Sequence, residues 1–438
     1  MNGLQKAIEK GLSNLPVLGL ANVLKRKLSE QGVKINSRRA EIVARQLLAG
    51  KSNFSLPGKR TEPLQIALTK EDSEGVVKWV ELFMERDLEP LLLKMQDDLA
   101  PRTLKTLKRR WPAEYHRQKT EITEFRSRLY GRWRTGICKL HMLVTMAREL
   151  GDNINYDVRH NPGSSNFILV DVLTRLHARS CQVAEEIIVL LETGFANGAM
   201  ARWRTMHEIA VTTAFISDHG NACAQRYTDH QIVESYKGAL EYEDIHAKLG
   251  YDPITSKDMN KIRKQYDNVI KKYGKVYGAQ YGWAAKDLNG KQPTFKEIEK
   301  AARIDYLRGH YRMASHGIHA NPKGIFFSMT STFPTEVLLA GASNAGLADA
   351  GDGVAHSLMM VSATLLSLSP TFDHQVAIRT MGLLREEIGK SFLRSHQKLY
   401  RDEEKLRAAE AEADKVLKEL GIAEKLTPEL LREAAGQI

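Results

Sequence analysis

Hydrophobic positions along this chain recur in steps of three and four, so almost every periodic segment predicts a helix. Val172, Leu176, Val183, Ile187 and Leu191 form one such stripe, a long amphipathic helix ending at Gly194. Asn197-Gly198 then turns the chain into a second helix with the stripe Trp203, Met206, Ala210 and Thr213. Arg204 and Glu208 lie beside that stripe, four residues apart. A short turn between two helices predicts an antiparallel pair. Helical patterns resume from Cys223 to Leu249 and from Met259 to Tyr273, the glycine-rich aromatic run from Tyr273 to Trp283 reads as a loop, and Lys296 to Ser315 reads as one further helix. Ser343 to Ser369 predicts a small-residue helix of the core. Phe392, Leu399, Leu406, Ala413 and Leu420 recur every seven residues among dense charges, as in a packed long helix or a modest coiled coil. Thr427-Pro428-Glu429 opens one last helix, with threonine at the cap and proline in the first turn. No strand-like alternation is sustained anywhere, and the expected fold class is all-α.

The first hundred residues predict several short helices, separated by Lys51-Ser52-Asn53 and Leu56-Pro57-Gly58-Lys59. Gly151-Asp152-Asn153 through Asn161-Pro162-Gly163-Ser164-Ser165 is the clearest linker signal. It divides the chain into a helical N-terminal region over 1–150, a helical domain over 165–370 and a long charged helix over 374–438.

Charge changes the picture of the N-terminal region. The 438 residues carry a formal net charge of +11, and residues 101–140 alone hold 12 Lys or Arg against 3 Glu. That concentration favours a polyanionic partner, nucleic acid ahead of an acidic protein or a membrane. Lys105, Lys108, Arg109, Arg110, Arg117, Arg126, Arg132 and Arg134 are the expected phosphate contacts, with Trp111, Tyr130 or Trp133 stacking bases. The competing reading is a solvated helix whose aromatics, Tyr115 and Phe125 included, face a core.

Three isolated cysteines, Cys138, Cys181 and Cys223, with no CxxC pair, argue against a disulfide framework and a cysteine zinc site, and fit a reducing cytoplasm. No signal-peptide pattern opens the chain. The most apolar late run, Val354 to Ser369, carries His356 and is too short to span a bilayer. No membrane association is expected.

The densest chemistry lies in Tyr311-Arg312-Met313-Ala314-Ser315-His316-Gly317-Ile318-His319-Ala320-Asn321-Pro322. Arg312, Ser315, His316 and His319 are spaced by three, four or seven and share one helical face. Histidine transfers protons near neutrality, and arginine offers a planar fork that matches phosphate oxygens. Arg312 and His319 could therefore cleave RNA without metal, Ser315 or His316 orienting the phosphate or the base. Glu208 and Arg204 on a neighbouring helix would hold Arg312 or His319. The same residues also allow a plain reading: His319 and Asn321 capping a helix end before Pro322, and Arg204–Glu208 as an ordinary i,i+4 pair. A metal site from His310, His316, His319 and His207-Glu208 lacks any HExxH pattern, so no metal ligands and no cofactor are assigned. Ser315 has no GxSxG elbow, and Gly341, Gly346, Gly351 and Gly353 are not followed by GK[ST], which excludes a nucleophile elbow and a P-loop.

From Phe167 to Lys323 the order of features is an amphipathic helix, Ala201-Arg202-Trp203-Arg204-Thr205-Met206-His207-Glu208-Ile209-Ala210, then Arg226-Tyr227, Trp283 and the closing Tyr311–Pro322 element. This resembles the bacterial domain-of-unknown-function family 5677, whose members show an Arg-x3-Glu helix and a closing Tyr-Arg-x2-Ser-x3-His-Ala-Asn-Pro element. That family in turn is similar to the HEPN superfamily of helical domains. The resemblance implies a HEPN-like bundle and a metal-independent endoribonuclease with an Arg-x4-6-His motif, often completed across a dimer, in toxins and anti-phage defence. Arg312 and His319 match the motif at its longest spacing. Met313 stands where HEPN motifs often have a polar residue, which leaves open a non-catalytic branch that binds nucleic acid or acts as an adaptor or sensor. RNA, a second copy of the chain and a protein docking on the C-terminal helix are the expected partners.

Overall fold

A computed structural model describes residues 2–54, 65–160, 166–290, 292–316, 318, 322–326 and 339–419. The chain is all-α, and the described residues contain no strand. In order the helices are α1 Asn2–Ser13, α2 Leu15–Glu30, α3 Ser37–Leu48, α4 Lys70–Leu82, α5 Leu88–His160, α6 Phe167–Glu192, α7 Ala196–Asp229, α8 Gln231–Leu249, α9 Ser256–Tyr273, α10 Phe295–Ala301, α11 Arg308–His316, α12 Pro322–Phe326, α13 Leu347–Leu366 and α14 Phe372–Glu419. Among the described residues no helix is long and apolar enough to cross a membrane.

Two compact units divide at Lys119/Thr120, inside α5, rather than at the linker read between residues 151 and 165. Gly151-Asp152-Asn153 continue α5 because Gly151 answers to packing, not to a turn. A Cβ there would meet the His177 ring at 2.7 Å. Residues 161–165 lie outside the described residues.

In the first unit Val17, Ala21 and Leu24 of α2 pack on Ala40 and Ala44 of α3. Thr69 and Asp72 form a reciprocal cap on α4, and Lys27 draws the Asp72 carboxyl down to about 2.

The second unit is built on α6 and α7, the antiparallel pair read from the sequence. The turn is Thr193-Gly194-Phe195, so Asn197-Gly198 already belong to α7. Gly194 has φ +81°, and a Cβ there would lie 2.8 Å from the Ser343 carbonyl oxygen. Leu129, Trp133, Ile137, Leu140 and Val144 of α5 cover one side of the core, with Val354 and Leu358 of α13 and Ile388, Phe392 and Leu399 of α14. The heptad reading of α14 holds in part: Phe392 and Leu399 are buried, Leu406 and Ala413 are exposed, and Leu420 and Thr427-Pro428-Glu429 lie outside the described residues. Gly220, at φ +69°, breaks α7 into two helices, and the Asn221 side chain accepts the Leu169 amide at the start of α6. The helix expected from Lys296 to Ser315 is also interrupted. Arg303 adopts φ +59°, and a 3₁₀ turn at Asp305–Leu307 separates α10 from α11.

His177 lies where α5, α6 and α13 meet, 2% exposed, with Nε2 3.0 Å from the Ser362 hydroxyl. Burial pushes its pKa down to about 4. Because the folded value is below the free value of about 6.5, the unfolded chain binds this proton first as pH falls. The stability that neutral His177 contributes is present above pH ~6.5 and is lost as pH falls toward ~4. Replacing it with glutamine removes this dependence. Between pH 7.5 and 4.5, wild type should lose about 2–3 kcal/mol more than His177→Gln in urea unfolding. Equal losses would show that the imidazole titrates normally in the fold.

Candidate functional site

The first half of α7 presents Arg204, His207 and Glu208 on one face, and α11 lies against it through Tyr311. The Tyr311 hydroxyl donates to Glu208 Oε1 at 2.6 Å. The Arg204 guanidinium lies 4.9 Å from the centre of the Tyr311 ring, and Arg308 lies 5.4 Å from it. Arg204 Nε is 3.3 Å from Glu208 Oε1, within ion-pair range, but buried without a hydrogen bond. Burial works against the charge of Arg204, and the Tyr311 hydroxyl and Glu208 outweigh it, so its pKa rises. Burial, reinforced by the Glu208 carboxylate, raises the Tyr311 phenol well above its usual range, which keeps it a hydrogen-bond donor.

Beneath this layer is a fully buried pair. His207 and Glu299 are both 0% exposed, with Nε2 and Oε1 2.8 Å apart. Burial lowers the His207 pKa, although Glu299 pulls the other way. Neutral His207 therefore donates from Nε2 to the carboxylate, and its Nδ1 has no partner. The compensating charge comes from Arg308, whose Nη1 is 2.5 Å from Glu299 Oε2. Glu299 is positioned by α10, whose first turn is closed by a Thr294–Glu297 capping box. Phe295 meets the His207 ring edge-on at 6.1 Å.

The structure thus brings Arg204 and Glu208 to the cluster's helix, where they meet Tyr311. Arg312 is exposed on α11 one residue along from Tyr311. Ser315 turns its hydroxyl back to the Tyr311 carbonyl at 2.8 Å, and His316 is half-buried. His319, Ala320 and Asn321 lie outside the described residues. The metal set weighed from the sequence does not assemble among the described residues: His207 is committed to Glu299, and His310 lines a different cavity. Among the described residues no group of three or more His, Cys, Asp or Glu could hold a metal ion.

Sequence reasoning missed Tyr311, His207, Glu299 and Arg308 as parts of one network. The available signal was spacing: Arg204, His207 and Glu208 stand at i, i+3 and i+4, and Arg308 precedes Tyr311 by three. Elsewhere the segments behind the resemblance also pack together. Arg226 Nε donates to the Trp283 carbonyl at 3.1 Å, Arg226 pairs with Asp287, and Tyr227 meets Trp283 edge-on at 5.1 Å.

The expected nucleic-acid contacts separate by unit. In the first, Lys105, Lys108, Arg109 and Arg110 are exposed beside Trp111 and Tyr115, whose ring centres are 6.2 Å apart, and Arg117 forms a fork with Glu114. In the second, Arg126 and Arg134 are exposed. Arg132 is instead turned to Asp402 of α14, 2.8 Å away, and does not belong to an open basic surface. Trp133 is not a stacking platform either. It is fully buried against Phe392 and donates to the Asn344 side chain at 2.7 Å.

Residues 170–334 match the model of a family described as a family of unknown function (DUF5677). The match covers most of the stretch from Phe167 to Lys323 and runs past its end. No curated protein and no solved structure matches the chain.

Proposed function

We propose that this chain is a HEPN-like, metal-independent endoribonuclease, acting as a toxin or anti-phage effector. The observation that supports this most is the Tyr311–Glu208–Arg204 contact, which fixes the α11 turn bearing Arg312 against α7 and leaves Arg312 open to solvent. In the reaction the ribose 2′-oxygen attacks phosphorus and the bond to the 5′-oxygen breaks. The products are a 2′,3′-cyclic phosphate and a 5′-hydroxyl. Arg312 carries the charge that develops on the phosphorane, and His319 takes the 2′-proton or returns one to the leaving oxygen. Arg204 and Glu208 act through Tyr311 as positioning residues, and the Ser315 hydroxyl ties the helix turn below Arg312.

The test is cleavage of total RNA by wild type and by His319→Ala in EDTA. Wild type should cut with chelator present, and His319→Ala should lose at least about a hundredfold in rate. Equal cutting by the two, or loss of cutting on chelation, removes the mechanism.

One observation favours a second reading, a nucleic-acid-binding adaptor without catalysis. Trp111 and Tyr115 are 54% and 56% exposed among the cations of α5, as a single-strand stacking platform requires. Under it, RNA binding would weaken steeply with salt and Arg312→Ala would change nothing.

A further inference from the structure

A cavity of about 130 Å³ opens between α7, α11, α13 and α14, with Met200 and Trp203 as its α7 lining. That volume is about four waters' share of the liquid, too small for a nucleotide chain and too large to be a packing defect. Its wall is unusually mixed. Tyr306 contributes aromatic surface beside the buried Trp203, Asp349 and Asp352 contribute carboxylates, and Arg385 and His356 contribute nitrogen donors. The Tyr306 hydroxyl is 2.7 Å from His356 Nε2, which fixes both rings at the cavity wall. Arg385 holds Asp352 only loosely, at 3.5 Å, and its Nε is buried with no hydrogen-bond partner. Burial, with the Arg385 charge beside it, lowers the His356 pKa, so the imidazole is neutral at pH 7.

A phosphate would meet two carboxylates here, and an aliphatic ligand would strand the polar groups. A flat heterocycle with donors along one edge and acceptors along another satisfies both. Guanine has that pattern: N1–H and the 2-amino group suit a carboxylate, and O6 and N7 suit the fork of an arginine. Adenine does not, because its N1 lone pair would face the carboxylate. We infer that the Trp203–Tyr306–Asp349–Asp352–Arg385 cavity is a recognition site for one guanine base, with Asp352 reading the Watson–Crick edge, Arg385 the O6/N7 edge and Tyr306 closing over the ring. This is a binding property and holds whether or not the chain cuts RNA.

The test measures binding of GMP and AMP to the full-length chain by equilibrium dialysis. A second arm uses fluorescent six-residue oligodeoxynucleotides containing one dG or one dA, which have no 2′-hydroxyl and cannot be cut by the proposed reaction. Guanine should bind at least about tenfold tighter than adenine in one or both arms, the discrimination typical of a good bidentate base contact. Asp352→Asn should bring the two purines within about threefold while the thermal melt stays intact, and Tyr306→Ala should weaken both purines without changing their ratio. GMP preference alone identifies a free guanine nucleotide as the ligand, and preference in both arms identifies a guanine within a strand. Equal binding of the two purines by wild type overturns the inference, as does undiminished discrimination by folded Asp352→Asn.

Discussion

Glu299→Ala should lower the stability of the second unit by about 3–5 kcal/mol, the usual loss when one partner of a buried ion pair is removed. The carboxylate is 0% exposed and holds His207 at one oxygen and Arg308 at the other. Without it, His207 loses its only hydrogen bond and Arg308 is left over the Tyr311 ring with no counter-charge. Glu299→Gln keeps the shape and one acceptor but not the charge, so an intermediate loss of about 1.5–3 kcal/mol is expected. Urea unfolding followed by tryptophan fluorescence reports both. A Glu299→Ala loss under ~1 kcal/mol would mean that the pair is solvated in solution. The same variant should also loosen Tyr311, and through it the α11 turn that bears Arg312.

The second large effect concerns Phe392, whose ring fills a slot between Gly136 of α5 and Gly351 of α13. A Cβ on Gly136 would come within 2.7 Å of the ring, and one on Gly351 would fall inside its van der Waals envelope. Phe392→Ala should cost about 3–5 kcal/mol through lost burial and the cavity left behind. Gly351→Ala should cost about 1–3 kcal/mol by overpacking, even though alanine is the better helix former. In the Phe392→Ala background the sign should reverse. The added methyl then has room, and Gly351→Ala becomes neutral or stabilising by up to ~1 kcal/mol. Additive losses in this double-mutant cycle would show that the ring does not occupy the slot.

Glycine is also where the sequence reading was weakest. The stripes at Val172–Leu191 and Trp203–Thr213 were legible because burial on a helix imposes its own period, and all but Leu176 among the quoted positions are buried. Gly151, Gly136 and Gly351 look identical to turn glycines in a string of letters, yet each lies within a helix and admits a neighbouring ring. The break between α10 and α11 carries no glycine or proline signal. It rests on Arg303 at φ +59°, a conformation imposed by the surrounding packing rather than by local preference. Of the candidate site, Arg312 and the pairing of Arg204 with Glu208 could be read from spacing. Glu299 could not, since a charged residue in a polar run reads as surface until three-dimensional neighbours supply its partners.

The contact between α5 and α14 also bears on synthesis. The Ser395 hydroxyl donates to the Arg132 carbonyl across 263 residues of sequence. At typical translation rates those residues take on the order of tens of seconds to emerge, so the wall of Leu129, Trp133 and Ile137 is made long before Phe392 exists to cover it. Throughout that interval the nascent chain carries an open apolar groove, and final closure of the core is a long-range, late event rather than a local one.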